Sequence, residues 1–393
     1  MALTDKLSAI GVAIRQKTGS SALMTLDEMP GAIASITTGG GGGGGDCNGL
    51  HIPDEALVIT NGTELFKGGK WMWFFDLCKD KLSTEGLTYT TFMFESCTSL
   101  TEIPFELNGS GSPGHMNSMF CWSMNLESIA PLNNFHPEQM ANMFQYCQKL
   151  RELPEFNNFN WSTLHELTYS QNSYMFQYCH SLRSIPESLL KELYSATTSS
   201  YSSFLYGMFT GCYVLNEIRG LRGPNAICTS NLFVNTFDNC SHVKSIVFAT
   251  NEDGTPLVQN WKNQVIDLTK YVGYFQYRLD GPTYGLTEDN LHYEEDYDPL
   301  TRDDVPEGDD WWSTQLQFSR YNKNSAVETI NSLPDTSAAG GINTIKFKKM
   351  SGSSFGYVAE GNASARSSLS ISTLTEEEIA VATAKGWTVT LVD

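Results

Sequence analysis

Between residues 93 and 246 the apolar positions recur with one internal spacing. Five segments begin Met-Phe and keep the same later anchors: Met93-Phe94-Cys97-Leu100-Ile103, Met119-Phe120-Ser123-Leu126-Ile129, Met143-Phe144-Cys147-Leu150-Leu153, Met175-Phe176-Cys179-Leu182-Ile185 and Met208-Phe209-Cys212-Leu215-Ile218. A sixth reads Thr236-Phe237-Cys240-Val243-Ile246, and a frayed opening copy keeps Phe75 and Cys78. Successive copies start 26, 24, 32, 33 and 28 residues apart, so loops of unequal length leave each unit. Repeats of this size bury their apolar faces only by stacking. Met, Phe and Cys fall within one helical turn at this spacing, which predicts a short helical turn pointing all three inward. Leu and Ile then belong to a short strand, closed by Pro104, Pro154 or Pro186 in three copies.

The flanks follow other rules. Leu7, Ile10, Ile14 and Lys17 lie on one helical face behind a Thr4 cap, with Gly19 as the stop. Thr25 and Glu28 form a capping box ahead of Leu26, Met29, Ile33 and Ile36. Seven glycines, Gly39–Gly45, then make a hinge. Towards the other end, Ser325 with Glu328 and Thr375 with Glu378 read as two further capping boxes. Residues 342–347 alternate as a strand, Gly386 ends the last helix and Trp387–Leu391 form a final strand. The pattern thus predicts a leucine-rich-repeat-like solenoid of short β-strands and short helical turns, preceded by a small N-terminal helical segment. Its expected divisions are an attachment segment 1–36, a Gly-rich linker 37–49, repeats 50–319 and capping repeats 320–393 with a polar insertion at 351–372.

Composition narrows the partners. Only 18% of the 393 residues are charged, and the formal net charge is −19. Phosphate backbones demand clustered Lys and Arg, so nucleic acid is excluded as an expected partner, as is an anionic membrane surface. Much of the excess sits in one insertion, 280–310, with twelve acidic residues against Arg302. Met1–Leu7 has no apolar run of the signal-peptide kind and no window spans a bilayer, which predicts cytosolic synthesis and assembly.

No pattern announces catalysis. Gly-x-Ser-x-Gly, His-Glu-x-x-His and phosphate-loop signatures are missing from the sequence, and no catalytic residue, cofactor or metal is expected. The acidic run Glu294-Glu295-Asp296, Asp303-Asp304 and Asp309-Asp310 lacks the residue order of a calcium loop and reads as a solvated loop, anchored by Trp311-Trp312. The in-register cysteines have no Cys-x-x-Cys pairing and read as small buried thiols, a role Ser123 can share. Cys47, Cys121 and Cys228 are off-register. In three consecutive copies the residue before the Cys or Ser is aromatic: Trp122, Tyr146 and Tyr178. Stacked copies would align these rings along one edge, either as packing or as a ligand-binding face for glycan or protein. Trp71, Trp73, Trp161 and Tyr213 are further aromatic candidates.

The spacing Phe-x-x-Cys-x-x-Leu-x-x-Ile over about 75–246 resembles the BspA-type leucine-rich repeats of bacterial surface proteins and gut-bacterial phages. The segment from Leu7 through Arg15–Gly19 and Thr25–Pro30 to Ile36 resembles N-terminal segments of phage tail and fibre proteins. Together these resemblances imply a bacteriophage structural protein, a tail fibre or receptor-binding component that attaches the virion to a bacterial surface. A capsid head fibre or decoration protein, a bacterial adhesin and a virion-associated depolymerase are the alternatives. Leu7, Ile10, Ile14, Leu26, Met29 and Ile33 would dock on other virion proteins. A host glycan or protein would be the ligand, and by analogy with fibres the chain would form a homo-oligomer, a trimer being the analogous state.

Overall fold

The structure, a computed structural model, describes residues 57–164, 174–193, 205–270, 272–278, 315–319, 321–349 and 370–393, together with 11, 12, 14, 46, 47, 50 and 51. The glycine run, the acidic insertion, Trp311-Trp312 and residues 351–369 lie outside the described residues, as do Leu7, Ile10, Leu26, Met29 and Ile33. Residues 11, 12 and 14 are helical, and Ile14 is fully buried.

The Met-Phe-x-x-Cys segments are not helical turns. Two residues in every copy have positive φ, four positions apart. Before the Met (or Thr) position these are Phe92, Ser118, Asn142, Tyr174, Gly207 and Asn235; before the Cys or Ser they are Ser96, Trp122, Tyr146, Tyr178, Gly211 and Asn239. A right-handed helix needs φ near −60° throughout, so these residues break it twice per copy. The chain turns instead through consecutive bonds across three residues, such as Cys147 N–H to Phe144 O at 3.0 Å and Leu150 N–H to Cys147 O at 3.3 Å.

The expected leucine-rich-repeat-like solenoid, with its short strands and helical turns, is therefore not the fold observed. Among the described residues the strands fall into seven separate sheets of two or three strands rather than one repeating sheet. Most pair in parallel: Glu102–Ile103 with Ser128–Ile129, Leu132–Asn133 between Leu107–Asn108 on one side and Phe156–Asn157 on the other, and Pro113–His115 with His136–Gln139. Glu217–Leu221 pairs likewise with Ser245–Phe248. Asp46–Cys47 with Leu50–His51, and Tyr274–Arg278 with Gln315–Ser319, are antiparallel. The bounded α-helices of the described residues are few and short: Met72–Cys78, Glu187–Glu192, Lys323–Ser332 and Glu376–Ala384. Between residues 102 and 157, Pro104, Pro131 and Pro154 and the left-handed Gly111 and Asn134 separate the short strands and keep their ladders to a few rungs.

What joins the copies is turn-to-turn bonding. Phe94 N–H donates to Met119 O, Phe120 N–H to Met143 O, Phe144 N–H to Met175 O, Phe176 N–H to Met208 O and Phe209 N–H to Thr236 O, at 2.8–3.1 Å. The Phe rings then stack nearly parallel, with centroids 5.4 Å apart for Phe120–Phe144 and 5.9 Å for Phe144–Phe176. Met, Phe, Cys or Ser and Leu of these copies are all buried. Phe66 heads the column, 5.1 Å from Phe94, and its N–H donates to Met93 O in the same way. Phe75 instead closes the column edge-on, 5.5 Å from Phe66 with ring planes 80° apart. The opening rung is thus Phe66 and not Phe75.

The cysteine has a defined task in this arrangement. From Phe94 to Phe209 each Phe carbonyl accepts the N–H of the Cys or Ser three residues on, Phe66 O that of Gly69, and the second lone pair is met from a following copy. Cys97 Sγ donates to Phe66 O (2.9 Å), Ser123 Oγ to Phe94 O (2.6 Å) and Cys147 Sγ to Phe120 O (3.1 Å). Cys179, Cys212 and Cys240 continue the series onto Phe144, Phe176 and Phe209. Thiol and hydroxyl both serve because the position needs a small side-chain donor. A second polar ladder runs through Asn157, Asn133 and Asn108, whose side-chain amides bond at 2.9 and 3.0 Å across three paired strands.

Beyond residue 248 the chain closes the core with larger elements. Val265–Leu268, Asn343–Lys348 and Trp387–Val392 form a three-stranded parallel sheet. The strand expected at 342–347 begins at Asn343, leaving Ile342 exposed. The helix Lys323–Ser332 is capped by Asn322 with Ser325, not by the Ser325–Glu328 pair that the spacing predicts. Glu328 turns outward to Arg219, at 2.7 Å, and accepts from Ser245. Thr375 and Glu378 do form the expected reciprocal cap. Trp261 and Trp387 are buried, and each indole N–H finds a proline carbonyl, at Pro224 and Pro334. Among the described residues no helix is long and apolar enough to cross a membrane.

Candidate functional site: a stacked aromatic edge

The pre-cysteine position is the outward corner of each double turn. Backbone bonds such as Trp122 N–H to Gln145 O and Tyr146 N–H to Gln177 O bring successive corners into register. The three sequence-predicted residues meet there. Trp122 and Tyr146 stack with centroids 3.8 Å apart and planes 13° apart, and Tyr178 follows at 4.7 Å and 32°. Trp122 is exposed, while Tyr146 and Tyr178 are half-buried by each other. Burial pushes the Tyr146 phenol up, with Tyr178 adding to the shift.

The column changes character at both ends. Past Tyr178 the equivalent residue is Gly211, and a Cβ there would lie 2.4 Å from the Tyr178 ring, so the ring rests directly on its backbone. His180 and Tyr213 continue the aromatic surface sideways, with His180 4.9 Å from Tyr213. On the other side of Trp122 the equivalents are Ser96 and Gly68, both exposed. Among the described residues no aromatic ring stacks on that second face of Trp122.

A polar strip occupies the position two residues after each Met, beside the corners that precede the Met, where a Gly207 Cβ would lie 3.4 Å from Gln177 Nε2. Gln145 donates to Gln177 at 2.5 Å, and Cys121 Sγ lies 3.4 Å from Gln145 Oε1. In the copies before it, Lys67 pairs with Glu95 at 2.7 Å and lies 4.2 Å from the Phe92 ring centroid. Cys121, off-register in the sequence, is thereby placed in the strip. Gln145, Gln177, His180 and the Lys67–Glu95 pair escape a sequence reading, because their only signal is a fixed distance from the Met-Phe pair.

No protein-family model matches this chain, and no curated protein matches it.

The remaining candidates divide cleanly. Trp161 packs on Phe159 (4.9 Å) against the core, and Trp71 meets Trp73 edge-on. The ladder thiols are held protonated: burial raises Cys97 to about 11 and Cys212 to about 12, and Cys147, Cys179 and Cys240 well above their ordinary value. A protonated buried thiol is a donor and not a nucleophile. Among the described residues no group of three or more His, Cys, Asp or Glu is arranged to hold a metal. His115 pairs with Glu138 at 3.1 Å on the surface, beside Tyr89.

Proposed function

We propose that this chain is a recognition protein of a bacteriophage virion, a tail fibre or receptor-binding component, whose aromatic edge contacts the bacterial surface. The observation that carries the reading is the residue choice at the pre-cysteine corner. Trp122, Tyr146 and Tyr178 all have φ near +60°. Holding a non-glycine residue there costs about 1–3 kcal/mol. A stacked pair returns only about 0.5–1.5 kcal/mol beyond burial. Stability alone favours Gly or Asn, and the last two copies have Gly211 and Asn239 at that corner. Three consecutive aromatics are then retained for what their rings touch.

The resemblance of the first 36 residues to tail and fibre proteins gives the reading its virion context. In it, Leu7, Ile10, Ile14, Leu26, Met29 and Ile33 serve attachment to other virion proteins. The test is cell binding by fluorescently labelled full chain across a panel of bacteria. A Trp122→Ala/Tyr146→Ala/Tyr178→Ala triple variant with an unchanged circular dichroism spectrum should lose cell-associated fluorescence. Equal retention of the variant and the parent contradicts the proposal.

A further inference from the structure

We infer that the last strand, Trp387–Val392, is an interface at which a second copy of this chain pairs across a two-fold axis. The three-stranded parallel sheet has unequal edges. On the Val265–Leu268 side an earlier turn meets the backbone, Asn231 Oδ1 accepting from Val265 N–H at 3.0 Å. On the Trp387–Val392 side no strand of the described residues pairs. The side chains differ in the same sense. Ile266 and Ile345 share a rung with Val389, and Leu268 and Phe347 share one with Leu391. The first two residues of each rung are buried, whereas Val389 and Leu391 are only half-buried. The core thus reaches this edge before it is fully covered, and a stacked fold needs its ends covered.

Open edges are normally blunted by charge, proline or a bulge. Trp387–Val392 has none of these, and its register with Asn343–Lys348 is unbroken. Lys349 N–H donates to Val392 O, so Val392 turns its carbonyl to the neighbouring strand. Backbone groups alternate along a strand, so Thr388 and Thr390 do the same, and Trp387, Val389 and Leu391 aim their N–H and C=O outwards.

This edge is complementary to itself. With antiparallel strands and the axis at Val389, Val389 exchanges two N–H···O=C bonds with its own copy, and Trp387 does so with Leu391. Thr388 then stands opposite Thr390 on the outer face, a favourable cross-strand pair. Lys385 and Asp393 close the ends of the paired segment with opposite charges, and the Asp393 side chain is 92% exposed. Copies of a chain with net charge −19 repel one another, so a contact between them must lie where charge is missing or balanced. This edge supplies both. An axis normal to the sheet keeps the two cores on one side and joins the two three-stranded sheets into one.

The experiment is analytical ultracentrifugation of the full chain across a concentration series. The expected mass is twice the 43.6 kDa of one chain. Thr388→Lys/Thr390→Lys sets lysine opposite lysine and leaves the backbone bonds to Asn343–Lys348 in place. It should sediment as a monomer with the parent's circular dichroism spectrum, and Thr388→Glu/Thr390→Glu should behave alike. Mixing the two variants should restore the double mass, because each lysine then faces a glutamate. Val389→Pro is a second disruption, which removes only an outward N–H at the axis, and it too should be monomeric. A parent that is a monomer or a trimer overturns the two-fold pairing. So does a folded lysine or proline variant that stays dimeric, or a lysine–glutamate mixture that stays monomeric.

Discussion

The inner and outer columns of the repeated turns share one spacing and obey opposite rules. Inside, the Phe position never varies from Phe94 to Phe237, and the next small donor changes only from thiol to hydroxyl at Ser123. Outside, three residues on from each Met, the corner runs Ser96, Trp122, Tyr146, Tyr178, Gly211, Asn239. The inner residues are fixed because each one meets a ring, a carbonyl and the next copy at once. The outer residues are free to vary because the turn asks only for a tolerated positive φ. Repetition of a letter therefore marks packing, and variation marks positions that the turn leaves open.

That contrast can be broken most severely from the inside. Phe176→Ala removes a fully buried ring stacked on both sides and should cost roughly 3–5 kcal/mol, read by denaturant unfolding. A loss below 1 kcal/mol would show that the column does not carry the fold. Next in size, Cys179→Ala strips the second donor from the buried Phe144 carbonyl and should cost about 1–3 kcal/mol. Cys179→Ser should recover much of that loss, as Ser123 does in its own copy.

Alkaline pH probes the same donors together. The folded state raises Cys97 to about 11 and Cys212 to about 12 from 9.0, so it holds these protons more tightly than the unfolded chain. Their contribution is complete below the ordinary thiol value and is lost as pH rises through the folded values. The melting temperature should fall between pH 9 and 12, and Cys212→Ser should flatten the fall; an unchanged slope in that variant would assign it to other groups. Smallest is the outer change. Tyr146→Gly relieves a strained corner while losing two stacking partners, and its stability should move by less than about 1 kcal/mol in either direction.

Much of the inner column was legible in the chain, because Met, Phe, Cys, Leu and Ile keep their spacing through loops of unequal length. Its conformation was not. Met-Phe-x-x-Cys fits a helical turn and a double left-handed turn equally well, and the choice is made by bonds between copies that no single copy contains. Phe66 was missed for a related reason: Gly69 stands where a Cys would have flagged the rung. Asn322 displaced the Ser325–Glu328 cap because Glu328 is drawn to Arg219 and Ser245, partners about a hundred residues away in sequence. The aromatic edge was found as three residues, whereas His180, the Gln145–Gln177 pair and the open side of Trp122 depend on which corners lack a ring.

The central claim is that the outer column serves binding and the inner column serves folding. Unfolding free energy and cell binding, measured side by side for Phe176→Ala, Trp122→Ala and Tyr178→Ala, test it most directly. The account predicts that Phe176→Ala loses stability first, while Trp122→Ala and Tyr178→Ala stay within about 1 kcal/mol of the parent and still lose binding. Binding that falls only in proportion to stability across all three would contradict it.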